Sequence, residues 1–189
     1  MKKKPRKTTP KRKKAAPAAR PTSPWAEWFV RQPGERRYWL VKSEPDEFSF
    51  DALDRLPAKT SGWDGVRNFA ARNFLRDGMK RGDLVLFYHT MADPPAIVGI
   101  CEVVREGYPD QTAFDARHPG YDPESNRYEP TWFQVDVRAV SRLPCPVTLS
   151  ALKARKELAN MALLRIGRLS VTPVRETEWQ VIMKMAAVQ

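Results

Sequence analysis

The chain has 189 residues, 42% of them hydrophobic, which suits one ordinary domain with a sizeable core plus an appendage. The formal charge of +11 suggests a polyanionic partner, yet residues 1–20 alone carry ten Lys/Arg and no acid, leaving 23 basic against 22 acidic residues in 21–189. No apolar run is long enough to span a bilayer, the basic start lacks the apolar core of a secretory signal, and two cysteines are too few for a disulfide framework.

Residues 1–34 are rich in Lys, Arg, Pro, Ala and Thr, and their composition predicts disorder. Trp25, Trp28 and Phe29 interrupt that composition. They either dock on the body, the favoured reading, or mark a partner site. A globular pattern starts at Tyr38, with Tyr38–Lys42 as a strand. Ser49 is placed to cap a short helix running through Leu53 and Leu56. Asn68 to Arg76 reads as one helix, with Gly78 as its C-terminal stop. Leu84 to His89 reads as a strand buried on both faces, followed by strands over Ile97–Glu106 and Thr131–Ser141. Cys101 lies in an apolar run and is expected to be a buried thiol. The long segment from Tyr108 to Pro130 has no regular pattern, and loops of that length in compact domains are commonly functional or mobile. A short helix over Thr148–Arg155, a strand over Leu169–Val174 and a closing helix over Glu176–Met185 complete the chain. Strands with interspersed helices but no βαβ periodicity predict an α+β fold, a small and mostly antiparallel mixed sheet curling toward a barrel.

Two short segments concentrate the chemistry: Tyr38 to Pro45, and Trp63-Asp64-Gly65-Val66-Arg67-Asn68. Each combines an aromatic ring with hydrogen-bonding side chains, a set suited to stacking a flat polar ring and reading its edge. Trp63 reads either as a core tryptophan or as a pocket wall, since it adjoins the Asp64-Gly65 turn. Lys42, Ser43 and Glu44 stand at a strand end broken by Pro45; they are either a solvated turn or one lip of a mouth. Asn68 and Arg72 share a helix face. The two histidines, His89 and His118, have no zinc-type spacing, and neither a nucleophile elbow nor a phosphate-cradling glycine loop is present. No metal or other cofactor is expected, and no enzyme activity. The tail, with Lys11, Arg12, Lys13 and Lys14 at its centre, would attract any polyanion without reading sequence.

The blocks Trp39-Leu40-Val41-Lys42-Ser43-Glu44-Pro45, Phe48-Ser49, Trp63 to Asn68 and Ala71 to Arg76 resemble the EVE domain family, a branch of the PUA-like superfamily. Phe87-Tyr88-His89, Tyr108-Pro109-Asp110, Trp132 with Val135-Asp136-Val137, and Arg168-Leu169-Ser170-Val171 extend the likeness from about Arg37 to Met185. The resemblance implies a PUA-like curled sheet of five or six strands ringed by short helices, forming residues 35–189 after a disordered tail of 1–34. It also implies a pocket for a flipped, modified base, such as a 5-methylated or oxidised cytosine in DNA. By position, Lys42, Ser43, Glu44 and Pro45 would form one lip, and Trp63, Val66, Arg67 and Asn68 the stacking and reading wall. Tyr88, His89 and Ser170 would complete the rim. Arg72 and the tail cations Lys11, Arg12, Lys13 and Lys14 would contact phosphates. The expected protein is a monomeric nucleic-acid binder with no membrane association. It would lie in a bacterial cytoplasm or nucleoid, or in the nucleus of a eukaryote. RNA or a nucleotide-like small molecule is the alternative ligand.

Overall fold

A computed structural model describes residues 24–187. The basic run of the tail, with its expected phosphate contacts, lies outside the described residues. Six strands form one mixed sheet: β1 (Tyr38–Ser43), β2 (Thr60–Trp63), β3 (Leu84–His89), β4 (Ala96–Pro109), β5 (Phe133–Thr148) and β6 (Val171–Val174), ordered β2-β5-β4-β3-β1-β6. Only β1 and β3 run parallel, with Tyr38 opposite Leu84 and Ser43 opposite His89; the other pairings are antiparallel. Five short helices surround the sheet: α1 (Phe50–Arg55), α2 (Phe69–Asn73), α3 (Leu149–Lys153), α4 (Ala162–Arg165) and α5 (Glu176–Ala187). This is the expected α+β architecture.

Both faces of the sheet are covered, because side chains alternate along each strand. Trp39, Val41, Val85 and Phe87 join Phe50, Trp63 and Phe74 in one buried cluster. Leu40, Leu86 and Tyr88 point the other way, into a cluster with Leu143, Trp179 and Ile182. Cys101 is buried, and burial pushes its thiol pKa up.

The helix after Asn68 has a changed geometry, the role of Gly78 needs correction, and one strand adds to the expected set. The helix expected over Asn68–Arg76 forms with Asn68 as its N-cap, the side-chain oxygen accepting from the Ala70 and Ala71 N–H groups at 2.9 and 3.1 Å, and after α2 it widens into a π turn over Phe74–Gly78. Gly78 is not a left-handed stop. A Cβ there would lie 2.9 Å from the Trp39 ring, so its role is close packing. β2 has no sequence signal, because Ser61-Gly62 gives no β-branched or apolar alternation; its place comes from pairing with β5, with Trp63 opposite Val135.

Disorder does not hold for the part of the tail that is described. Residues 26–29 form a 3₁₀ turn whose neighbourhood packs on the sheet. Trp25 meets Phe74 edge-on at 5.4 Å, Phe29 stacks on Phe74 at 5.8 Å, and Trp28 lies 5.6 Å from Trp39. Docking is therefore the arrangement of the three aromatics. Composition alone hides it, because three rings suffice to anchor an otherwise polar segment to a prepared apolar surface.

Candidate functional site

A cavity of about 860 Å³ opens where the C-terminal ends of β1 and β2 meet the segment entering β6 and a turn from the β4–β5 connection. Its volume lies in the range of sites for small ligands, roughly 300–1,000 Å³. The first lip is built by a turn after β1. The Glu44 carbonyl accepts from the Glu47 and Phe48 N–H groups at 3.0 and 2.9 Å, and the Ser43 hydroxyl donates to the Phe48 carbonyl at 2.6 Å. That turn carries Lys42, Ser43, Glu44, Glu47 and Phe48 to the cavity, whereas Pro45 is not on its wall.

The opposite wall is Trp63, Val66 and Arg67. Trp63 is only 7% exposed, with its ring edge-to-face against Phe87 at 5.3 Å and near Phe48 at 6.3 Å. Both sequence readings of this residue therefore apply: it is a core residue whose remaining surface faces the cavity. Ser61, two residues earlier on β2, lines the same wall. Recognising β2 would have found it through the strand's period of two.

Arg67 is committed to the protein. It donates to the Gly120 carbonyl from Nε at 2.7 Å and also from Nη2, to Asp110 Oδ2 at 2.7 Å and to Thr112 Oγ1 at 3.0 Å. Asp110 is fully buried and also accepts from the Gly65 N–H at 3.0 Å, which fixes a turn that glycine enters at φ +70°. Burial opposes its ionisation, but the hydrogen bonds from Arg67 and Thr112 outweigh that and hold the carboxyl below its ordinary value. This Arg67–Asp110 unit fastens His118, Pro119 and Gly120 to the cavity rim. Asp110, the last residue of the block Tyr108-Pro109-Asp110, is thus a positioning residue, a role that appears only with its contacts to Arg67 and Gly65.

Lys42 Nζ donates to the Gly167 carbonyl at 2.9 Å, and burial lowers its pKa. Asp64 is shifted up, first by burial and then by neighbouring Asp110. Ser170 lines the cavity with Arg168 and Leu169, and its carbonyl accepts from the Lys42 N–H at 2.9 Å. With Arg67 neutralised by Asp110, the wall mixes the cations Lys42 and Arg168 with Glu44, Glu47 and Asp64. Such a wall suits a neutral ring bearing donors and acceptors on its edge better than a chain of phosphates.

The remaining expected site residues lie off the wall. Tyr88 belongs to the buried cluster on the other sheet face, one position out of phase with Phe87. His89 Nε2 accepts the Phe50 N–H at 3.1 Å, which satisfies a free donor at the start of α1; burial lowers its pKa. Asn68 is committed to capping α2. Arg72 donates to Asn73 Oδ1 and to the Thr131 carbonyl at 2.9 and 2.8 Å. His118, which is on the cavity rim, accepts the Gly120 N–H at Nδ1 at 3.0 Å. No group of His, Cys, Asp and Glu able to hold a metal ion occurs among the described residues, and no described helix is long and apolar enough to cross a membrane.

Comparison with known proteins gives consistent results. The EVE domain family model matches residues 37–185. Mouse thymocyte nuclear protein 1 is 39% identical over 165 residues, covering 78% of this chain and 73% of its own. A Leishmania major protein of solved structure is 46% identical with a TM-score of 0.77, covering 82% of this chain and 97% of its own. The crystal structure of human THYN1 in complex with 5-methylcytosine-containing DNA is 36% identical with a TM-score of 0.79, covering 81% of this chain and 99% of that one. The YTH domain of Zygosaccharomyces rouxii MRB1 shares the fold at a TM-score of 0.50 and 16% identity.

Proposed function

The chain belongs to the EVE domain family, and on that premise we propose that it is a non-enzymatic reader that accepts a modified nucleobase in the cavity between Ser43 and Trp63. The observation that carries this reading is the cavity itself: Trp63 and Phe48 line about 860 Å³ together with the hydrogen-bonding residues Ser43, Glu44, Ser61 and Asp64. The DNA-bound human relative, which holds 5-methylcytosine-containing DNA, supports the choice of ligand. Stacking contributes roughly 1–3 kcal/mol per base, against a few kcal/mol for extruding it from a duplex. A modified cytosine that is already unpaired is therefore the preferred ligand.

Within this reading Trp63 and Phe48 stack the base, and Ser43, Glu44 and Ser170 read its edge. Arg67 holds the rim and Lys42 closes the lip toward Gly167. The tail, with Lys11, Arg12, Lys13 and Lys14, supplies salt-sensitive attraction to the polyanion. A monomer acting in the nucleoid or nucleus fits these roles. Both histidines accept backbone N–H groups, so the nitrogens so used serve the backbone and not a reaction. The balance of 23 basic and 22 acidic residues in 21–189 favours one second reading, a short single strand or RNA in place of duplex DNA.

The test is fluorescence anisotropy with the full chain and oligonucleotides matched except at one cytosine, which is unmodified, 5-methylated or 5-hydroxymethylated. Measurements at low and high salt separate the tail from the cavity. A preference for a modified base that survives high salt supports the reading. Binding that ignores modification and disappears with salt sinks it for these ligands and turns the search to RNA.

A further inference from the structure

Beside the cavity, α2 carries an aromatic–arginine strip that base reading leaves unused. Phe69 is 61% exposed. A solitary exposed phenylalanine would be ordinary surface, but this ring is organised. It stacks on Trp132 with centroids 5.1 Å apart and planes 29° from parallel, and the Arg72 guanidinium lies 5.0 Å from its centroid. Trp132 is only 6% exposed, and its indole N–H donates to Asp122 at 2.6 Å, so the foot of the stack is anchored. The Arg67 guanidinium lies 5.4 Å from the Trp132 ring and also lines the cavity. One side chain thus joins cavity wall and strip, and the two are contiguous.

The charges along the strip differ in availability. Arg76 is held by Asp77 at 2.6 Å. Arg72 uses Nε and Nη1 on Asn73 and Thr131, and no ion pair among the described residues includes it, which leaves Nη2 for an anion. An exposed ring beside a guanidinium with one nitrogen left for an anion suits an unpaired strand, because bases stack on rings while the cation takes a phosphate. Drawing a base into the cavity also leaves its neighbour short of a stacking partner.

We propose that Phe69 and Arg72 hold the nucleotide flanking the base in the cavity, Phe69 by stacking and Arg72 through the phosphate; the assignment rests on the base-reading function above. The experiment compares the full chain with Phe69→Ala and Phe69→Tyr, each checked by thermal unfolding. Ligands are a single-stranded oligonucleotide carrying one 5-methylcytosine, its unmodified match, and the mononucleotide 5-methyl-dCMP. Phe69→Ala is expected to weaken both oligonucleotides by roughly 5- to 150-fold, the weight of one base stack. Phe69→Tyr should restore binding, and the ratio between the two oligonucleotides and the mononucleotide affinity should stay unchanged. Oligonucleotide binding by Phe69→Ala equal to the parent's overturns the proposal. An equal loss of mononucleotide binding overturns it too, since Phe69 would then be shaping the cavity. If the parent shows no preference for 5-methylcytosine, base reading fails, while the Phe69→Ala effect on the unmodified strand still decides whether the strip binds nucleic acid.

Discussion

Arg31 and Asp83, 52 residues apart in the chain, meet through two hydrogen bonds of 2.8 and 2.7 Å. Asp83 is 1% exposed and also accepts from the Arg37 N–H and the Trp39 indole N–H, at 3.0 and 2.8 Å. Arg31 further donates to the carbonyls of Glu35 and Gly78. The segment preceding the family match is thereby locked to the core of the sheet.

Removing Arg31 leaves the buried Asp83 carboxylate without its counter-charge, so Arg31→Ala is expected to cost about 3–5 kcal/mol. Urea denaturation measures it. A chain lacking residues 1–34 should be destabilised as well, whereas one lacking residues 1–23 keeps its unfolding midpoint and loses salt-dependent affinity only. Equal midpoints for the two truncations would show that the aromatic segment contributes nothing.

Trp63→Ala is expected to lower stability by about 3–5 kcal/mol, because a nearly buried ring packed edge-on to Phe87 leaves a void. Loss of ligand binding in that variant therefore cannot by itself place Trp63 at the ligand. Glu44 is exposed on the lip, so Glu44→Gln should leave the melting temperature within a degree or two while changing the preference among modified bases.

The Arg67–Asp110 pair predicts an acid-labile rim. The folded Asp110 carboxyl lies below its unfolded value, so its stabilisation is present in full above about pH 3.9 and lost as pH falls through the folded value. In Arg67→Ala that stabilisation should vanish and the turn at His118–Gly120 should exchange amide hydrogens faster. Unchanged exchange there would remove Arg67 from its positioning role.

His89 titrates in a separate window. Burial lowers its folded pKa, so the unfolded chain binds the extra proton and stability falls as pH drops below about 6.5. Protonation also ends the acceptance of the Phe50 N–H by Nε2. His89→Ala should cost about 1 kcal/mol at pH 8 and flatten the slope of stability between pH 7 and 5. Tyr88→Phe should leave oligonucleotide affinity unchanged, since Tyr88 lies on the far face of the sheet.

Much of the cavity's lining is legible in the sequence. Lys42, Ser43, Glu44, Trp63, Val66, Arg67 and Ser170 all reach one cavity, as the clustering of aromatic and polar side chains at a strand end and a glycine turn led one to expect. Asn68 and His89 were misplaced for a common reason: their polar atoms are taken by the free N–H groups at the starts of α2 and α1, a demand that exists only once the helix exists. Pro45 adjoins the lip but is not on the cavity wall. Glu47 and Phe48 replace it, because two hydrogen bonds to the Glu44 carbonyl set the turn.

What is local is legible in the chain: the apolar strands β1 and β3, the alternating strand β5, the Ser49 cap of α1, the basic run at the start, and the density of rings and hydrogen-bonding groups around Ser43 and Trp63. These depend on side-chain alternation and backbone preference within a few residues. Tertiary structure alone decided what depends on contact across the chain. β2 exists because β5 offers it a partner, and residues 24–34 are ordered because Asp83 and Phe74 wait for Arg31 and Phe29. Phe69 stands exposed beside the cavity because Trp132, far along the chain, supports one face of its ring. Buried charge pairs and aromatic stacks gain their strength where water is excluded, and only the assembled fold excludes it.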